Sequence, residues 1–240
     1  MFKQSRRCLP IGVLTFLIFG WLGFLFTPTV AQGQTIPSTL GWYQIPNTKL
    51  SSVDPCPLKN CSYSGVEGVS AVVEDWSGGA FDTANNRLLI AGGGHGGYAG
   101  NEIYSLNLNN LTMTRLNNPS TPVRDGCTNG GTYADGTPVA RHWYNHLEYL
   151  PNQNAMFAFG GSQWQCGFLT KDAWLFNLSS LTWTAKNGAN SPSSQYGAAA
   201  VYDAASSLVY MRDDFELKSY NPSTNTWTLR STQLGTGYNA

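Results

Sequence analysis

The stretch "DAWLFNLSSLTWTAK" (residues 172–186) decides the fold, because the chain uses its pattern three times. It aligns without gaps to "EIYSLNLNNLTMTRL" (102–116) and to "ELKSYNPSTNTWTLR" (216–230). In each copy two strand-like runs flank a tight polar turn, at Asn109-Asn110, Ser179-Ser180 and Ser223-Thr224. Trp183 and Trp227 hold the same place, and Met113 takes it in the first copy. Upstream lies a second repeated pair of runs. "GGAFDTANNRLLIAGGG" (78–94) matches "HLEYLPNQNAMFAFGGS" (146–162) and, more loosely, "AAAVYDAASSLVYMRDD" (198–214). Each copy thus predicts four short antiparallel strands in about 45–50 residues. Outside the first 31 residues no helix-period stretch reaches about ten residues. The expected fold class is all-β, with units over 71–118, 140–187 and 195–232.

A strand closed by Gly-Gly, then an aromatic, then a Trp nine residues on (Trp174 to Trp183) resembles the kelch repeat, as in kelch propellers and the central domain of galactose oxidase. The resemblance covers roughly residues 70–230 and implies a β-propeller of four-stranded blades. It says little about activity, because propellers host many functions. Three blades do not make a ring, since kelch propellers resemble rings of six or seven. "GWYQIPNTKLSSV" (41–53) resembles the end of a repeat, so an N-terminal closing strand is expected within 32–70. Open flanks would expose apolar faces larger than soluble monomers tolerate. Truncation of a longer chain is the simpler account, and assembly with further copies is the other.

The glycine cluster "AGGGHGGYAG" (91–100) poses a separate question. A phosphate cradle needs a helix N-terminus after the glycines, but a period-2 strand follows, with Tyr104, Leu106 and Leu108 on one face. Gly92-Gly93 and Gly160-Gly161 fall at the same repeat position, where the second strand ends. Glycine there serves positive φ and close backbone approach. In the third copy Asp213-Asp214 replaces the pair.

Residues 1–31 have the layout of a secretory signal peptide. Lys3, Arg6 and Arg7 precede the apolar run "IGVLTFLIFGWLGFLF" (11–26), and small residues suited to cleavage follow. Without that leader, 11 Lys and Arg face 14 Asp and Glu, a net charge of −3. No basic patch appears, which argues against nucleic acid or an anionic membrane as partner. An exported location is expected, with no membrane contact after cleavage.

Four cysteines then remain: Cys56, Cys61, Cys127 and Cys166. An even number in an exported chain reads as two disulfides, and no metal-ligand spacing competes. Three pairings are open from the count alone. In a four-stranded unit, the loop from second to third strand and the connection to the next unit leave on the same side. That puts Cys127 and Cys166 on one rim and favours Cys56–Cys61 with Cys127–Cys166. The loops closed would contribute about 2 and about 4 kcal/mol in the chain-entropy model.

The same rim gathers the chemistry. His95, Tyr98 and Asn101 follow the first glycine corner, Arg124 lies in the long connection 117–141, and Trp164 lies in the second corner loop. Tyr98, Asn101, Arg124 and Trp164 are the expected ligand-binding set, with aromatic faces for pyranose C–H groups and amides for hydroxyls. In "RHWYNHLEY" (141–149) a strand would point His142, Tyr144 and His146 to one side and Trp143, Leu147 and Tyr149 to the other. With His95 and Arg141 they form the candidate catalytic set, Arg141 to neutralise a uronate and His or Tyr to move a proton in β-elimination. Copper enters only through a galactose-oxidase-like reading, which needs a free Cys for its thioether. Otherwise no cofactor or metal is expected. The preferred expectation is an exported module that binds an extracellular glycan or protein. A polysaccharide-active enzyme is the alternative.

Overall fold

The computed structural model describes residues 37–121, 131–165, 167–193, 196–213 and 215–232. The expected signal peptide, Arg124, Cys127 and Cys166 lie outside the described residues. Among the described residues no helix is long and apolar enough to cross a membrane.

The strands form three antiparallel sheets, each in chain order. The first holds β1 (Gly78–Asp82), β2 (Arg87–Ala91), β3 (Tyr104–Asn107) and β4 (Thr112–Arg115). In the second, β5 (Arg141–His142) and β6 (Leu147–Leu150) both pair with β7 (Ala155–Gln163), which continues to β8 (Leu169–Asn177) and β9 (Thr182–Ala185). The third holds β10 (Ala199–Asp203), β11 (Leu208–Arg212), β12 (Leu217–Asn221) and β13 (Thr226–Ser231).

The repeated turns have one chemical cause. Asn107, Asn177 and Asn221 occupy the same repeat position, and each side-chain oxygen accepts the amide two residues on, at 2.8–2.9 Å. Such a bond replaces a backbone turn bond and stops the strand. Immediately after the turn pair, Leu111, Leu181 and Asn225 take left-handed backbone, with φ of 55–57°.

Burial follows from strand alternation. Every residue of β7 is buried, as expected of a strand covered on both faces. Met156 and Ala158 pack with Trp174 and Phe176 against Leu89 and Ile103 of the first sheet. Phe157 and Phe159 point the other way, against Val209, Met211, Tyr220 and Trp227 of the third. The sheets therefore pack face to face, with the second in the middle.

Each sheet also repeats an acid with a partner two residues on, at one repeat position. Glu102 accepts from the Tyr104 hydroxyl, Asp172 from the Trp174 indole at 2.5 Å, and Glu216 pairs with Lys218 at 2.7 Å. Acid and donor stand two residues apart, so a strand places them on the same face.

The N-terminal region departs from expectation. Residues 41–49 and 54–67 hold no strand, and Leu50–Val53 forms a short 3-10 turn. Trp42 is fully exposed and packs on no apolar surface. Strand propensity is realised through cross-strand partners, and residues 41–53 find no sheet edge. Instead Leu50, Val69, Ala71 and Val72 cover Ile90, Tyr104 and Met113 on the outer face of the first sheet. The expected Cys56–Cys61 disulfide ties this cover together.

The two repeat tryptophans are not equivalent. Trp227 is buried among Phe157, Phe159 and Tyr220, with ring centroids 4.9–6.3 Å away. Trp183 is only half-buried, stacked on Trp143 and tilted against Phe176. Trp227→Ala should cost about 3–5 kcal/mol in chemical denaturation and Trp183→Ala about 1–3 kcal/mol, the cavity being smaller where solvent already reaches the ring. Equal losses would contradict this packing.

Candidate functional site

The site begins with an interrupted strand. β5 pairs His142 with Ser162 and β6 pairs Leu147 with Ala158, leaving Trp143–His146 unpaired along the sheet. The break turns its backbone groups sideways. The Tyr144 amide donates to the Trp76 carbonyl at 3.0 Å, on the first-sheet side. The Asn145 carbonyl accepts from the Ala200 amide at 2.9 Å, on the third-sheet side. The core side of the expected alternation holds, since Trp143, Leu147 and Tyr149 enter the core.

Two glycines let neighbouring loops close onto this segment. A Cβ on Gly94 (φ +91°) would sit 2.6 Å from the Arg141 Cα, and one on Gly161 (φ +95°) would sit 2.5 Å from the His142 carbonyl oxygen. Any side chain at either place would separate the backbones. Gly93 and Gly160 also have positive φ, so the glycine corners are architectural as read. Gly94–Tyr98 closes as a tight turn, the Gly94 amide donating to the Tyr98 carbonyl, and carries His95 to its tip.

The result is a continuous chain of rings. His95 meets His142 at 5.9 Å between centroids, His142 meets Tyr144 at 6.1 Å, and Tyr144 meets His146 at 5.8 Å. Trp76 lies 5.3 Å from His142, and Tyr196 lies 6.3 Å from Tyr144. Trp76 is 67% exposed and Tyr196 57%, whereas His142 is 2% exposed. Trp76, His95 and Tyr144 all have left-handed backbone, with φ of 44°, 50° and 51°. Such conformations cost of order 1–3 kcal/mol each and cluster at functional sites.

Burial sets the electrostatics. It pushes both His142 and His146 down from the ordinary imidazole range, His146 to about 4. The His146 Nδ1 lies 3.1 Å from the Phe159 carbonyl. The Asp75 and Gly93 backbones approach His142, yet neither of its nitrogens has a partner at hydrogen-bonding geometry. Burial, then the neighbouring Tyr196, pushes the Tyr144 hydroxyl up. At neutral pH the site floor is a pair of neutral imidazoles and a neutral phenol.

Of the expected ligand-binding residues, Tyr98, Asn101 and Trp164 sit elsewhere, and Arg124 lies outside the described residues. Tyr98 is buried, its hydroxyl donating to Glu102 at 2.6 Å. Asn101 is buried and spent on Ser120, Thr137 and the Pro138 carbonyl. Trp164 is buried with Ala99, Tyr133, Val139 and Ala140, so it is core and not rim. The loops fold inward because their apolar and amide groups find partners in the residues 131–140.

Arg141 is likewise unavailable to a substrate. It is buried, and its guanidinium donates to the carbonyls of Val139, Gly160 and Gly131, to Thr170 and to Asp172. Burial alone would raise the Asp172 carboxyl, but Arg141 beside it outweighs that and holds it below its ordinary value. The side chain is wholly buried, so no part of the guanidinium faces a uronate.

Among the described residues no three His, Cys, Asp or Glu side chains are placed to hold a metal ion. Trp76 and Tyr196 were missed by sequence reading because each precedes its strand in an irregular segment, where no periodicity assigns a direction.

Comparison with protein-family models and with curated proteins finds no match to this chain.

Two predictions follow from the buried groups. His146 is protonated below pH 6.5 when unfolded but only near about 4 when folded. The unfolded state therefore binds more protons between these values, and stability falls as pH drops through that window, by about 3 kcal/mol at most. His146→Asn should flatten that part of the stability–pH curve, and an unchanged slope would refute the assignment. Arg141→Ala should destabilise by about 3–5 kcal/mol, since it strands the Asp172 carboxylate and several buried carbonyls. A melting curve like wild type would return Arg141 to the list of free groups.

Proposed function

We propose that this chain is part of an exported kelch-type β-propeller and that the ring cluster around His142 binds an extracellular glycan. Three successive antiparallel sheets packed face to face, two of four strands and a middle one of five whose outermost strand is broken into β5 and β6, support the propeller reading. The Cys56–Cys61 disulfide is compatible with an oxidising compartment.

One observation carries the glycan reading. Two exposed rings, Trp76 and Tyr196, flank neutral polar rings that are pinned by the strand break. Aromatic faces take pyranose C–H surfaces, and neutral imidazole and phenol groups both donate to and accept from hydroxyls. Positions held by backbone bonds to two neighbouring sheets lose little freedom on binding, which favours affinity. Catalysis by His142 and Tyr144 is the second reading, favoured by an unpartnered neutral imidazole beside a phenol.

The test is calorimetric titration of the full chain with a panel of oligosaccharides. Trp76→Ala and Tyr196→Ala should each weaken binding by about 1–3 kcal/mol, as loss of a desolvated aromatic does, without lowering the melting temperature. Absence of glycan binding across the panel would refute the reading and direct attention to a protein partner. Appearance of an unsaturated sugar product, abolished by His142→Ala, would replace binding by catalysis.

A further inference from the structure

The repeat register extends two residues upstream of the matched strand pairs. Gly78, His146 and Ala198 hold one repeat position, so Trp76, Tyr144 and Tyr196 hold another, two residues before it. Each of the three units thus carries one aromatic side chain at the same place. The tertiary structure sets these rings in a row. Tyr144 meets Tyr196 at 6.3 Å between centroids, and His142 lies between Tyr144 and Trp76, at 6.1 and 5.3 Å. The two end rings are exposed and Tyr144 is half-buried between them.

The main chain fixes the spacing of the row. The Trp76 carbonyl accepts from the Tyr144 amide at 3.0 Å, and Asn145 bridges in parallel to Ala199, three residues past Tyr196. A Cβ on Gly78 would stand 2.1 Å from the Tyr144 carbonyl oxygen, so the chain entering β1 runs hard against the segment that carries Tyr144. Three successive ring contacts separate Trp76 from Tyr196. A single pyranose, similar in size to one of these rings, does not reach both ends.

The ring planes are a second constraint, independent of the spacing. Tyr144 and Tyr196 stand at 89°, His142 and Tyr144 at 64°, and Trp76 and His142 at 69°. A flat ribbon of sugars stacks on rings that share a plane. Rings turned against one another suit a chain whose successive sugar faces rotate. Indole and phenol are neutral groups, and the neighbouring guanidinium of Arg141 is buried, so nothing in the row calls for a charged sugar.

We propose that Trp76, Tyr144 and Tyr196 form a track for a single, uncharged, twisted polysaccharide chain, with sugar faces on Trp76 and Tyr196 and the chain passing over Tyr144. The assignment rests on the glycan reading above and narrows it to polymers longer than a disaccharide. Each exposed ring takes the C–H surface of one sugar. A chain long enough to reach both makes the second contact intramolecular, so affinity rises with length until both ends are filled.

The experiment titrates the full chain with three series of oligosaccharides, from dimer to octamer. Two series, β-1,3-glucan and α-1,4-glucan, twist along the chain, and the third, the β-1,4-glucan series, is flat. At least one twisted series should gain about tenfold or more in affinity from dimer to hexamer and then level off, with the flat hexamer about fivefold weaker or more. Trp76→Ala and Tyr196→Ala should each lower hexamer affinity about tenfold while leaving the dimer within about threefold and the melting temperature unchanged. Equal affinity for dimer and hexamer, or a flat series that matches the twisted ones, would overturn the track and leave the glycan reading standing. Failure of every series to bind would overturn both.

Discussion

The Arg141 guanidinium organises this molecule more than any other single group. A buried cation survives only if its donors are satisfied, and here they reach three separate stretches of chain. Gly131 and Val139 belong to the connection between the first two sheets, Gly160 to the corner of β7, and Thr170 and Asp172 to β8. The guanidinium also lies 4.9 Å from the Trp143 ring, a cation–π contact added to its in-plane hydrogen bonds. The path of residues 131–143 is fixed by this demand. His142, the centre of the ring cluster, is the next residue along.

The interrupted strand then converts that anchor into a junction. An uninterrupted strand would have used the amides and carbonyls of residues 143–146 within its own sheet. The break spends them on Trp76 and Ala200 instead, so the segment bridges both neighbouring sheets. Gly94 and Gly161 make the approach sterically feasible from either side. The left-handed conformations of Trp76, His95 and Tyr144 are held by these surroundings, each costing what a lone loop residue could not sustain.

Electrostatics divides the surface near this junction sharply. Inside, burial keeps the imidazoles neutral, while Arg141, with the Thr170 and Trp174 side chains, holds the Asp172 carboxyl below its ordinary value against the cost of burial. Outside, Glu74 and Asp75 immediately precede the exposed Trp76 ring in the chain.

The sequence by itself determined the sheets. Three copies of one strand–turn–strand pattern, with asparagine at the same turn position, are local features, and local hydrogen bonds enforce them wherever the chain goes. It also determined the glycine corners, because a strand following the glycines excludes a helix-borne phosphate site. The gathering of His95, His142, Tyr144 and His146 was legible from the topology of a four-stranded unit. Only the tertiary structure decided which groups remain free. Arg141, Tyr98, Asn101 and Trp164 have the residue types of a binding site, yet each is consumed by partners distant in sequence. Trp76 and Tyr196 lie where no period gives a direction, and their exposure depends on a strand break set by contacts between sheets. The cover over the first sheet was hidden for the same reason. Residues 41–53 carry strand-like composition, but a strand exists only where an edge receives it, and here Leu50 packs with Val69, Ala71 and Val72 on the sheet face instead.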